Sequence, residues 1–172
     1  MKRGQVWIET VLYTLIGLSL IALALVFIAP RISQTQDRLA IEQTIDSLNE
    51  LDSRMNIGPG NIRHIDFTMK RGQLIINSPN DTIIYIIEDI ESPYSEPGVE
   101  IDQGRIKILT EETQNDYIII LSMDYSRIFD LRYGGQNVRR EFTAAPTPYK
   151  FSIESKSSGG GGDIIDIKEI SS

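Results

Sequence analysis

The chain has 172 residues, with 24 Asp and Glu against 17 Lys and Arg, one His and no Cys. The absence of cysteine excludes disulfides, thiolate metal sites and cysteine catalysis. A formal charge of −7 argues against a nucleic-acid partner, because phosphate binding rests on Lys and Arg.

The N-terminal segment comes first and says most. Met1-Lys2-Arg3-Gly4 is a short basic leader. Gln5-Val6-Trp7-Ile8-Glu9 follows, then a nearly unbroken apolar run from Thr10 to Ala29, closed by Pro30-Arg31. Val6 to Ala29 is 24 residues, and a bilayer needs about 20. Lys2 and Arg3 place the N-terminus on the cytoplasmic side. Glu9 has no place in an ordinary anchor, since a carboxylate in hydrocarbon costs roughly 2.5–3.5 kcal/mol or more and marks function by default. A cut after Gly4 would make Gln5 the new N-terminus, with a free ammonium four residues from Glu9. In parallel copies staggered along an axis, that ammonium can meet Glu9 of a neighbour. Two ill-placed charges then become one ion pair.

Lys2-Arg3-Gly4, the junction before Gln5, Glu9 four residues on and the long apolar run together resemble a type IV prepilin signal. The archaeal variant, the class III signal peptide family, is the most similar, because Gln commonly follows its cleavage site. The chain departs from that pattern at Trp7, where a small or hydroxyl residue is more usual. The resemblance covers about Met1 to Arg31. It implies that a prepilin peptidase cuts after Gly4, that Gln5 is the mature N-terminus, and that Glu9 is the assembly carboxylate. Loss of Lys2 and Arg3 would take the formal charge from −7 to −9. The resemblance further implies copies of the chain or related pilins as partners, with a pilus assembly ATPase and a platform protein. Gly17 and Ser19 on the apolar helix would allow close helix approach, as small residues do in membranes. A secretory signal peptide would have a shorter apolar core and a small-residue exit. A plain signal anchor explains the length and the charge, but neither Glu9 nor the Gly4-Gln5 junction.

After Pro30, which should bend or loosen the helix, the pattern turns amphipathic. Ile32, Leu39, Ile41, Ile45, Leu48 and Leu51 form an apolar set. Gln34, Gln36, Asp37, Glu42, Gln43, Asp46 and Glu50 fill the other faces. The helix should end before Gly58-Pro59-Gly60. Its second half packs against its own head domain or, alternatively, forms a short coiled-coil spacer. The predicted layout is a leader over 1–4 and a helix over 5–57. Within the helix, 5–29 is the membrane or filament core and 31–57 the amphipathic extension. A β-rich head covers 61–172.

From Asn61 the period becomes that of strands. Ile65, Phe67 and Met69 alternate before Lys70-Arg71-Gly72, and Leu74-Ile75-Ile76 follows. Further apolar runs lie at 83–87, 106–109, 117–123, 129–133, 138–142, 149–153 and 164–167. Breaks fall at Asn77 to Asp81, Glu91 to Gly98 and Gln114 to Asp116, and Gly134-Gly135 reads as a tight hairpin. Eight or nine short strands argue for an antiparallel sandwich, so the fold class is α+β: a long hydrophobic helix, then a sandwich-like all-β head. Their many Ile residues read as core rather than contact surface. Gly159 to Gly162 reads as a flexible connector, because a phosphate loop would need a following lysine and helix.

Little in the head suggests catalysis. His64 is the only histidine and reads as a surface or edge residue. The acidic strings Glu88-Asp89, Glu91 and Glu111-Glu112 lack the compact Asp-x-Asp-x-Asp-Gly loop that calcium wants. Arg139-Arg140, followed by Glu141, reads as a solvated face. Asn80-Asp81-Thr82 is an N-glycosylation acceptor on a turn. The expectation is therefore a structural filament subunit without cofactor, not an enzyme. It would sit in the cell membrane by one pass and display its head outside on a surface filament. The rivals are a signal-anchored extracellular binding module, and a minor pilin or pseudopilin.

Overall fold

The computed structural model describes residues 2–158 and 162–170. Met1 of the leader and Gly159 to Gly161 of the glycine connector lie outside the described residues. The chain divides into two compact units, Met1–Gln36 and Asp37–Ser172.

The first unit is helical throughout its described residues and belongs to α1, Lys2–Met55. The helix takes in the leader, and its backbone stays helical through Pro30. Thr14 and Ser19 donate their hydroxyls to the carbonyls of Thr10 and Leu15, at 2.7 and 2.8 Å. These hydroxyls satisfy themselves inside the helix, as apolar surroundings require.

The second unit begins inside α1. It adds ten strands, β1 Ile62–Phe67, β2 Gln73–Asn77, β3 Thr82–Ile90, β4 Glu100–Gln103, β5 Ile106–Glu112, β6 Tyr117–Asp124, β7 Phe129–Tyr133, β8 Arg139–Thr143, β9 Tyr149–Ser158 and β10 Gly162–Glu169. One sheet runs β1-β9-β10-β7 and the other β4-β5-β6-β3-β2-β8. All pairs are antiparallel except β10 with β7. The strand missing from the sequence reading is β4, whose Glu-Ile-Asp-Gln has one apolar residue and is exposed throughout.

The stripe on α1 differs from the expected one. Ile41, Ile45, Leu48, Leu51 and Met55 are buried, but Ile32 and Leu39 are about half exposed, at 51% and 49%. Leu39 sits two residues from Ile41, roughly 200° around the helix. Extending the buried face back by four residues reaches Asp37, a carboxylate expected on the solvent side that is only 6% exposed. Both of its oxygens are used. Arg71 Nη1 donates to Oδ1 at 2.7 Å, and the Glu91 amide donates to Oδ2 at 2.9 Å. Arg71 also donates to the Asp89 carbonyl.

The helix stripe and the inner faces of both sheets form one apolar cluster. Rings link the sheets: Phe67 of β1 lies 6.3 Å from Phe151 of β9 and 6.4 Å from Tyr85 of β3, and Phe142 of β8 lies 5.1 Å from Phe151. Two glycine-containing connections cross between the sheets. Lys70-Arg71-Gly72 carries the chain from β1 in one sheet to β2 in the other. Gly134-Gly135 does make a tight turn, closed by mutual Tyr133 and Gln136 backbone bonds of 3.0 and 3.1 Å, with φ of 58° and 76°. Its flanking strands β7 and β8 then part to different sheets. Asp166, only 8% exposed, fixes this turn by accepting the Gly135 amide at 2.7 Å.

Two buried tyrosines give the head a pH signature. Tyr85 donates its hydroxyl to the Arg71 carbonyl at 2.5 Å. Burial pushes its pKa up to about 12, with a Thr44 hydrogen bond pulling the other way. Tyr125 donates to Asp52 at 2.8 Å, and burial followed by the Asp52 charge raises it further, while Arg105 opposes. Both hold their protons more tightly folded than unfolded. Their contribution is therefore complete below about pH 10 and is lost as pH climbs from there through about 12. Phenolate absorbance for these two tyrosines is expected to rise only together with loss of the far-UV circular dichroism. Ionisation of all seven tyrosines near pH 10, with the fold intact, would contradict this.

Candidate functional site

The apolar half of α1 is the most unusual surface of the molecule. It is the only helix among the described residues long and apolar enough to cross a membrane, and its most apolar window is wholly unburied. Trp7, Tyr13 and Phe27 are 71%, 69% and 70% exposed, and the aliphatic residues between them are similarly open. A helix that is apolar on every face is stable only when something apolar surrounds it.

Within that surface, Glu9 is the only Asp, Glu, Lys or Arg between Trp7 and Ile28. It is exposed on α1. Helical geometry puts Gln5 one turn below Glu9, about 6 Å along the axis and on the same side. Gly4 and Gln5 occupy consecutive positions of the continuous helix, behind Lys2 and Arg3. The side chains of these four residues lie outside what is described. Gly17 stands about 12 Å beyond Glu9. A Cβ built on Gly17 would meet nothing within 4 Å, so a side chain there would protrude toward whatever surrounds the helix.

The remaining sequence-predicted residues lie in the second unit. Asn80 is exposed and closes a single 3-10 turn, Ser78–Asn80, between β2 and β3. His64 is exposed on β1, an edge strand. Arg139 pairs with Glu141 at 2.7 Å, in keeping with a solvated face.

The structure adds two clusters that the sequence reading missed. One is the Asp37, Arg71 and Asp89 network described above. The other centres on Asp52, whose Oδ1 accepts Arg105 Nε at 2.9 Å and the Tyr125 hydroxyl at 2.8 Å. Asp37 extends the buried helix stripe by one turn at its start, and half-buried Asp52 lies within it between Leu51 and Met55, so helical spacing is the signal that points to both. Some of the isoleucine is also not core. Registry places Ile75, Ile84, Ile86, Ile118, Ile120 and Leu109 together on the outer face of the six-stranded sheet. All but Ile75 are only half-buried there.

Comparison with protein-family models, with curated proteins and with solved structures gives no match.

Proposed function

We propose that this chain is a structural subunit of a type IV pilus-like surface filament of the archaeal kind, cut after Gly4 and assembled through α1. The observation that carries the reading is Glu9: one carboxylate in an otherwise apolar exposed helix, one turn beyond Gln5, the residue that follows a basic leader ending in Gly4. Before assembly the apolar half would lie in the cell membrane with Lys2 and Arg3 inside. After assembly, neighbouring copies would replace the lipid around it. Gly17 would let backbones approach closely, and the head would be displayed outside. Prepilin peptidase, an assembly ATPase and a platform protein would be the separate machinery, and the chain itself would perform no catalysis.

Intact mass and N-terminal sequencing of the protein from native membranes and from sheared surface material test this. A chain starting at Gln5 and abundant in the sheared fraction is the expected result. A chain that keeps its leader and stays with membranes would overturn it and leave a signal-anchored binding module. Cleavage with no bulk filament would place it instead among minor or pseudopilin subunits.

A further inference from the structure

We infer that Asn80 is the attachment point of an N-linked glycan, an inference that rests on the head being exported as proposed above. Asn80-Asp81-Thr82 is the single Asn-x-Ser/Thr triplet in the chain that is free of proline at its centre. The fold places it favourably in three respects. First, Asn80 is exposed at the tip of the β2–β3 connection, where a substituent extends into open space. Second, among the described residues neither the Asn80 amide nor the Thr82 hydroxyl has a hydrogen-bond partner. The neighbouring Asp81, by contrast, is tied into the fold: its Oδ1 accepts the Leu131 amide at 2.8 Å and its carbonyl accepts the Tyr125 amide at 2.8 Å. The turn is therefore held by Asp81 and leaves the two recognition groups free. Third, the triplet lies at the pole of the head far from the chain's entry. Asp37 at the start of the unit binds Glu91, just beyond β3, whereas Asp81 is bonded to Tyr125, the partner of Asp52. Asp52 is fifteen residues further along α1, roughly 22 Å.

The ligand class is an oligosaccharide carried on a lipid phosphate, transferred by a separate enzyme. The Asn80 amide nitrogen forms a bond to the anomeric carbon and the carbon–oxygen bond to phosphate breaks. The amide loses one proton to a base on the transferase, and the lipid phosphate leaves with the electron pair.

The test is mass spectrometry of the full chain from the cells that naturally make it, intact and after trypsin, which yields one peptide from Gly72 to Arg105. That peptide should be heavier by whole sugar residues in the parent chain and in Thr82→Ser. It should return to the sequence mass in both Asn80→Gln and Thr82→Ala. An unmodified peptide in the parent, or an added mass that survives Asn80→Gln, would overturn the inference. The N-terminus read from the same sample reports the filament proposal independently. A leader still present on a chain with a modified peptide would sink the filament proposal alone.

Discussion

A Glu9→Gln chain is expected to be made, inserted and cut after Gly4 like the parent, yet to be absent from sheared surface material. The substitution keeps the size and hydrogen-bonding reach of the side chain and removes only its charge. In the membrane the cost of that charge is eased, though not removed, by the position of the side chain. Glu9 lies two residues past Trp7, near the N-terminal end of the apolar run, where a side chain can reach toward the headgroups. Between packed helices there is no such escape. In the proposed filament the carboxylate would then need a cation, and cleavage would supply one in the new amine of Gln5 on a neighbour. Leaving that amine buried without its partner costs about 3–5 kcal/mol, which weakens each contact by about 10²–10⁴-fold. In the proposed filament every subunit would give one amine and take one, so the loss would recur at every step of growth.

The same geometry sets a register. Gln5 and Glu9 are four residues apart, so paired copies must be offset by about 6 Å along the axis. Moving the carboxylate one turn onward, with Glu9→Gln combined with Tyr13→Glu, would demand about twice that offset and should not restore filaments. Sheared filaments at the parent yield from Glu9→Gln would sink the ion-pair mechanism outright.

Why the helix and most strands could be read in advance, and other features could not, is a matter of range. A 24-residue apolar run and the 3.6-residue recurrence of Ile41, Ile45, Leu48 and Leu51 are local patterns, each with one physical solution. Strand positions were equally local, as Ile65 and Phe67, or Ile119, Leu121 and Met123, show by their burial. What failed needed knowledge of distant partners. Asp37 is buried only because Arg71 and the Glu91 amide reach it from 34 and 54 residues away. Gly134-Gly135 has the composition of a hairpin, but Asp166 and the sheet assignment of β8 decide where its flanks go. Glu9 belongs to a third kind. Its type and spacing are legible in the sequence, while the partner proposed for it lies on another molecule.

Gly72→Ala is expected to lower stability by about 3–5 kcal/mol, more than any other single-methyl change at a described glycine. Two penalties coincide there. Gly72 has φ of +90°, a conformation that a side chain strains. A Cβ would also stand 2.4 Å from the Ile86 carbonyl oxygen and 2.8 Å from Cε1 of Tyr85. Neither neighbour can yield. Ile86 is central in its sheet, paired to Gln73 on one side and Ile120 on the other. The Tyr85 ring is held by its 2.5 Å bond to Arg71 and by packing against Phe67. Relief would have to come from shifting the crossover itself, which would pull Arg71 off Asp37 and loosen the first turn of the helix stripe. For a head of this size the melting temperature should fall by about 10–20 °C, read by circular dichroism on the full chain in detergent.

Two further glycines separate the causes. Gly134 has φ of +58° with open space around a Cβ, so Gly134→Ala carries backbone strain alone. Gly58 has neither a positive φ nor a close neighbour, its nearest contact being Asn61 Nδ2 at 3.9 Å, and Gly58→Ala should be nearly silent. Losses that rise in the order Gly58, Gly134, Gly72 would show that the crossover is fixed by contact with β3 as well as by backbone conformation. Equal losses at Gly72 and Gly134 would show that the close approach to Ile86 contributes nothing.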